Sequence, residues 1–269
     1  MFGFGRKQPV ELVPFADRPP HMFNSLLCDG VSAYHLGSFA DLLALHARLQ
    51  QEHPHCRVLA SLDDLGQAGY TSGHGTDSHD LDDIAGHDLS DLDPALFENG
   101  EHLGYLSTPA EFPIRLANLK KQAVDVAGIA GLLFWDTPGD ANDIVSLNRA
   151  PDLLLGIASE PAILFQFVPV ASAADTVAAF PNGYFRSDLN PMQNHALAAH
   201  LEAAYGFALI GIGSRFLAFR RAQPLSAADA DALATGLVAL YAEPPPGAFD
   251  DLRKLLRDRD WLLLRYTES

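Results

Sequence analysis

The C-terminal part of the chain carries a regular series of helix-capping and turn residues, which restricts the folds that it can adopt. Asn190-Pro191 opens a helix, and Gly206 follows at the position where a left-handed residue ends one. Two apolar runs, 207–212 and 215–220, flank Gly213-Ser214, a pair typical of a β-hairpin. This segment is therefore predicted to run helix, strand, strand.

Three further elements are predicted after the hairpin. Ser226 with Asp229 marks the start of a helix that runs to about residue 241, where prolines follow. Residues 249–257 have the pattern of a short amphipathic helix, and 261–266 that of a final strand. The order α-β-β-α-α-β predicts an α+β fold, with helices packed on an antiparallel or mixed sheet.

The N-terminal part shows the same kinds of signal with less regularity. Ser38 begins a helix that Pro54 ends, and Thr108-Pro109-Ala110-Glu111 is a capping box that begins another, running to about residue 124. Five apolar runs are predicted as strands: 31–36, 56–62, 129–135, 153–158 and 163–170. We divide the chain into an N-terminal α/β region, 1–160, and a C-terminal α+β domain, 161–269.

Residues 62–107 differ from the rest of the chain. Between Arg57 and Arg115 there is no Lys or Arg, whereas twelve acidic residues occur there. Gly, Asp, Ser and His dominate and no apolar period is visible. The pattern predicts a long acidic loop, a feature that is uncommon in compact domains and is usually functional or disordered.

Histidines and carboxylates are concentrated in one part of this loop, and together they suit zinc or manganese. The spacing matches neither the H-E-x-x-H motif nor an EF-hand. One interpretation is a divalent metal site that lowers the pKa of a bound water for hydrolysis. The other is an acidic segment that faces solvent and binds no metal. The candidate metal ligands are His74, His79, Asp80, Asp83 and His87.

Charge and apolar content exclude several classes of partner. With 34 acidic and 18 basic residues the net charge is -16, and nucleic-acid binding needs a basic face that this chain lacks. An anionic membrane surface is disfavoured for the same reason, and the longest uncharged apolar run, 161–174, is too short for a membrane span. Cys28 and Cys56 are expected to be free thiols in a reducing cytoplasm.

Residues 165–269 resemble a bacterial family known as domain of unknown function 4253. The resemblance rests on Phe180-Pro181-Asn182-Gly183, on the Tyr-Gly stretch at 205–212, on the helix start at 224–230 and on the closing apolar strand at 261–264. The chain departs from the family where an aromatic pair and an acid are usual, at His200, Leu201 and Ala208. The resemblance implies a shared fold and brings no catalytic residues with it.

Motifs for common enzymatic chemistry are missing from the sequence. No lysine follows a glycine as in a Walker loop, Gly211-Ile212-Gly213 lacks the third glycine of a dinucleotide loop, and there is no G-x-S-x-G elbow. No cofactor is predicted. The sequence therefore favours a non-catalytic binding protein, immunity-like in character, for a basic protein partner, with a metal-dependent hydrolase as the alternative.

Overall fold

The computed structural model describes residues 8–17, 26–133, 144–257 and 259–267. Its strands are β1 (Glu11–Pro14), β2 (Gly30–Tyr34), β3 (Arg57–Ser61), β4 (Phe97–Glu98), β5 (Glu101–His102), β6 (Ile163–Val168), β7 (Ala208–Ile212), β8 (Phe216–Arg220) and β9 (Trp261–Arg265). Its α-helices are α1 (Phe39–Glu52), α2 (Leu65–Ser78), α3 (Phe112–Lys121), α4 (Ile144–Arg149), α5 (Pro151–Leu155), α6 (Pro191–Tyr205), α7 (Ala227–Leu240) and α8 (Ala248–Leu256).

Seven strands form one mixed sheet in the order β1-β2-β6-β3-β7-β8-β9, and β4 and β5 form a separate small hairpin. Neighbouring strands of the large sheet are antiparallel except β3 and β7, which run parallel with Ala60 opposite Gly211. The fold is thus α+β, as predicted. The regions 1–160 and 161–269 share this sheet, because β6 lies between β2 and β3.

Both faces of the sheet are covered by helices. Side chains alternate along β3, so that Leu59 belongs to one buried cluster while Val58 and Ala60 belong to the other. The helices α1 and α5 pack on the Val58 face, through residues such as Leu42 and Leu155. The helices α2, α3, α6, α7 and α8 contribute to the Leu59 face, and α4 contributes to both clusters.

Most predicted helix ends are confirmed in atomic detail. The Ser38 hydroxyl accepts a hydrogen bond from the Asp41 N–H, 3.1 Å away, before α1 begins. Asn190 and Gln193 form a capping box at the start of α6, and Gly206 ends that helix with φ +71°. Ser226 caps α7 through the Asp229 N–H. From α6 onward the elements follow the order that the sequence predicts: α6, β7, β8, α7, α8 and β9.

The predicted loop over 62–107 is wrong, because its first part is helical. Asp64 caps α2 by accepting a hydrogen bond from the Gln67 N–H, and β4 and β5 form the hairpin further along. The helix is hard to read from the sequence because, apart from Leu65, the face that it buries is made of small residues. These are Ala68, Gly69, Thr71, Ser72, Gly75 and Thr76.

Two predicted strands are also wrong. Residues 153–158 lie in α5 and a following 3₁₀ turn, because Pro151 starts a helix there and Leu153 is 77% exposed. In 129–135, Ile129 ends a 3₁₀ turn and Leu133 makes only an isolated bridge to Tyr241. Residues 134 and 135 lie outside the described residues. The helix predicted to reach about residue 124 ends at Lys121.

The two cysteines are free, as predicted. Burial raises the pKa of the Cys28 thiol to about 12, so that this thiol stays protonated at neutral pH. None of the helices in the described ranges combines the length and the apolar character that crossing a membrane requires.

His46 links the stability of α1 to pH. Its Nε2 donates a hydrogen bond to the Val58 carbonyl oxygen of β3, 2.8 Å away, and burial lowers its pKa from 6.5 to about 4. Below pH 6.5 the unfolded chain therefore takes up a proton that the folded protein does not. The free energy of unfolding is expected to fall as pH decreases from 6.5, with the His46 contribution reaching about 3 kcal/mol at pH 4.

This dependence is tested with the variant His46→Gln, whose amide can still donate to the Val58 carbonyl. Chemical unfolding at pH values from 4 to 7 should show a smaller loss of stability in this variant than in the wild-type protein. The exposed His55 serves as a control, and His55→Gln should follow the wild-type curve. Equal pH dependence of His46→Gln and the wild-type protein would contradict the assignment.

Candidate functional site

The structure brings no three of the five candidate metal ligands together. His74 stacks on Tyr184, and the His87 Nε2 donates to the Asn118 Oδ1 at 2.9 Å. The Asp83 carboxylate accepts from the Ala85 N–H, while His79 ends α2 and the exposed Asp80 follows it with φ +49°. Within the described ranges, no group of three or more His, Cys, Asp or Glu side chains is placed to hold a metal ion.

The acidic segment that follows α2 is fixed to α3. The Asn118 side chain donates hydrogen bonds to the carbonyl oxygens of Leu81 and Asp83 while it accepts the one from His87. Next to it, Arg115 forms two hydrogen bonds with the carboxylate of Asp82, at 2.6 and 2.8 Å. Paired guanidinium and carboxylate bonds of this kind define a single orientation. These contacts hold the segment on α3, although its backbone has no regular secondary structure from His79 to Asp93.

Glu111 holds the C-terminal end of the acidic segment in place, at residues 102–108. Its buried carboxylate accepts from the Ser107 and Thr108 N–H groups and from the His102 Nε2, at 2.8 to 2.9 Å. Burial alone would raise the pKa of Glu111, but these hydrogen bonds outweigh it and hold the pKa below its ordinary value. The capping box predicted at residue 108 thus also fastens the β4–β5 hairpin through His102.

Exposed acidic residues between Asp64 and Glu101 present their carboxylates to solvent. None of them forms an ion pair with a residue that the structure describes. Because no Lys or Arg occurs from residue 58 to residue 114, this surface contains no basic side chain of its own. The exposed acidic residues are Asp64, Asp77, Asp80, Asp83, Asp88, Asp91, Asp93, Glu98 and Glu101.

A row of exposed rings lies beside this acidic surface. Tyr70 meets His74 edge to face with ring centroids 4.3 Å apart, His74 stacks on Tyr184 at 4.8 Å, and Phe185 lies 5.3 Å from Tyr184. Tyr70, Tyr184 and Phe185 are 52%, 38% and 48% exposed, which is unusual for side chains of this size. We name Tyr70, His74, Tyr184 and Phe185 the aromatic ladder.

Close contact between α2 and the segment before Tyr184 positions the ladder. The Thr71 hydroxyl of α2 donates to the side chain of the fully buried Asn182. A side chain at Gly75 would come within 2.8 Å of the Pro181 carbonyl oxygen, so that only glycine permits this approach. Gly183 has φ +107°, and a Cβ there would lie 1.9 Å from the Leu189 carbonyl oxygen.

Two clefts flank the ladder, and Phe185 lines both. One, of about 410 Å³, also contains Asp64, Thr71 and Arg215. The other, of about 570 Å³, contains His79, Leu132 and Arg186, together with Tyr184. Open space on either side leaves both faces of the ladder accessible to a protruding side chain.

Arg215 is already paired within the first cleft. Its Nε lies 3.1 Å from the Oδ2 of Asp63, a carboxylate that is 2% exposed and also accepts from the Ser214 hydroxyl. Gly213 makes room for this carboxylate, because a Cβ at that position would lie 1.9 Å from the Asp63 Oδ1. The exposed Asp64 therefore remains as a carboxylate without a basic partner among the described residues.

The sequence analysis singled out only His74 among the ladder residues. Tyr70 and His74 are four residues apart, the spacing of neighbours on one helix face, but that signal required α2 to be predicted first. Tyr184 and Phe185 come from a distant part of the chain, and their meeting with α2 depends on the tertiary structure.

The chain matches no protein-family model, no curated protein and no solved structure in the comparisons made.

Asn118 is expected to hold the acidic surface in place. In Asn118→Ala the carbonyl groups of Leu81 and Asp83 lose their donor, and the free energy of unfolding should fall by about 1–3 kcal/mol. Amide hydrogen exchange should accelerate between residues 79 and 92. The exposed Gln51 on α1 provides the control, since Gln51→Ala should change neither quantity. Unchanged exchange in 79–92 would show that another contact orders the segment.

Proposed function

We propose that the protein is a non-catalytic binding protein, and that it binds a basic protein partner through the aromatic ladder and the neighbouring carboxylates. The observation that carries this proposal is the row of contacting rings beside exposed acidic side chains that have no basic partner in the described ranges. Rings and carboxylates together recognise the cationic groups of Lys and Arg.

The rings supply the anchoring part of such an interface. Tyrosine and phenylalanine bury much area with little loss of conformational freedom, and aromatic side chains dominate the energetics of many interfaces. A Lys or Arg over a ring face gains about 0.5–1 kcal/mol at an exposed site. Because Asn182 and Gly183 already fix the turn that carries Tyr184, little ordering cost remains for binding.

The carboxylates supply attraction and selectivity. One face of α2 points away from the core and carries residues that are three or four positions apart: Gln67, Tyr70, His74 and Asp77. Asp77 lies in the last turn of that helix, where the helix dipole is negative and a second negative charge is unfavourable. A cation from a partner relieves this repulsion, whereas an acidic partner would increase it.

The compartment and the family resemblance form part of the same proposal. The free thiols of Cys28 and Cys56 support a reducing cytoplasm as the place of this interaction. We also propose that residues 165–269 share the fold of the family that they resemble. The stretch 180–183, on which that resemblance partly rests, contains the turn that positions Tyr184.

The ladder is tested with a fluorescently labelled oligoarginine peptide as the probe. Binding to the double variant Tyr70→Ala/Phe185→Ala should be about tenfold weaker than to the wild-type protein, the loss expected when two ring contacts disappear. Leu153 is 77% exposed on α5, away from the ladder, so Leu153→Ala is the control and should bind as the wild-type protein does. Equal affinity of the ladder variant and the wild-type protein would overturn the proposal.

The contribution of the carboxylates is tested by measuring how the affinity for the peptide depends on salt concentration. In Asp77→Asn/Asp80→Asn the affinity for the same peptide should fall, and it should change less between low and physiological salt. Asp251, which is exposed on α8, provides the matched control as Asp251→Asn. If Asp251→Asn has the same effect, the net charge of the protein rather than this surface attracts the peptide, and the proposed site is wrong.

A further inference from the structure

Three arginines line a cleft at one end of the strands, opposite to the end at which Asp63 lies. Because β3 and β7 are parallel, their first residues lie at one edge and the residues that follow them, including Asp63, lie at the other. Arg57 begins β3, Arg220 ends the antiparallel β8, and Arg221 follows it. These three side chains line a cleft of about 470 Å³. We name them the arginine cleft.

Two of the guanidinium groups are held in place by backbone oxygens. The Arg57 Nε donates to the Ala171 carbonyl at 2.7 Å, and the Arg220 Nη1 donates to the Leu43 carbonyl at 2.9 Å. Each contact uses one nitrogen of a guanidinium that has three. The groups are thus oriented in advance, which reduces the cost of binding an anion.

Arg221 has donors that the protein does not satisfy. Its guanidinium lies over the Phe207 ring, 5.6 Å from the ring centroid. Its Nε and Nη1 are buried and have no hydrogen-bond partner among the described residues. A buried donor without a partner costs about 1–3 kcal/mol, and more when the group is charged. These two donors lie on different edges of the guanidinium, so one oxyanion in the cleft would satisfy one of them.

The local charge is opposite to that of the whole chain. Against the three arginines, Asp260 is the single acid among the residues that line the cleft, and it lies 3.6 Å from the Arg220 Nε. His46 also lines the cleft, but its depressed pKa keeps it neutral at neutral pH. The cleft therefore has a net charge of +2, whereas the chain has one of -16.

The remaining lining indicates what kind of anion fits. Arginine matches phosphate oxygens with paired hydrogen bonds better than it matches a spherical ion. The cleft is larger than a phosphate group, and small apolar residues such as Ala47, Ala208 and Ala222 also line it. We propose that the arginine cleft binds the phosphate group of a small organic phosphate, with the organic part against this apolar wall. This site is separate from the aromatic ladder.

Calorimetric titration of the full chain with phenyl phosphate and with inorganic pyrophosphate, at constant ionic strength, tests this proposal. Phenyl phosphate should bind once per chain, and phenol should not bind. Affinity should fall at least about tenfold in Arg221→Gln, which removes the buried donors, corresponding to about 1.4 kcal/mol. Arg57→Gln changes a more exposed contact and should show the same loss if Arg221→Gln does not fold.

The control is Arg253→Gln, because Arg253 lies on α8 and pairs with Asp250 outside the cleft. This variant should bind phenyl phosphate as tightly as the wild-type protein. Equal loss in Arg253→Gln, or no saturable binding of either ligand, would overturn the proposal. If the protein binds pyrophosphate but not phenyl phosphate, the proposal that the apolar wall holds an organic group is overturned.

Discussion

The parallel pairing of β3 with β7 is the contact on which the rest of the structure depends. It joins a strand of the N-terminal region to one of the C-terminal region, and it is the single parallel pair in the described part of the large sheet. The buried Asp63 locks the junction, since it binds Ser214 and Arg215 directly after β7 and requires glycine at position 213. Removing Arg215 would be destabilising, because the buried Asp63 carboxylate would lose its cationic partner.

Local signals predicted the elements whose ends are formed by neighbouring residues. Ser38, Asn190 and Ser226 each cap a helix through the third following residue, so that a few positions in the sequence contain the whole interaction. The hairpin between β7 and β8 is similarly local, although its strands are joined by 213–215 rather than by the predicted pair 213–214. Apolar runs were less informative, because a short run such as 153–158 suits a buried strand or a helix equally well until its burial is known.

The sequence does not predict the helix α2, for a specific reason. It packs through Gly75 against the Pro181 carbonyl oxygen and through Thr71 against the Asn182 side chain, which demands small residues on the buried face and so removes the large apolar period that marks a helix. The aromatic ladder depended on that contact and was missed with it. The candidate metal ligands follow from residue type and density alone, and in the structure His74, Asp83 and His87 contact different neighbours.

The strand β3 separates two surfaces of opposite sign. Arg57 at its beginning and Asp63 after its end are six residues apart, which at the rise of an extended strand is about 20 Å. This exceeds the screening length of about 8 Å at physiological ionic strength, so each edge keeps its own potential. The charges at the two ends of the sheet therefore act independently on any ion near them.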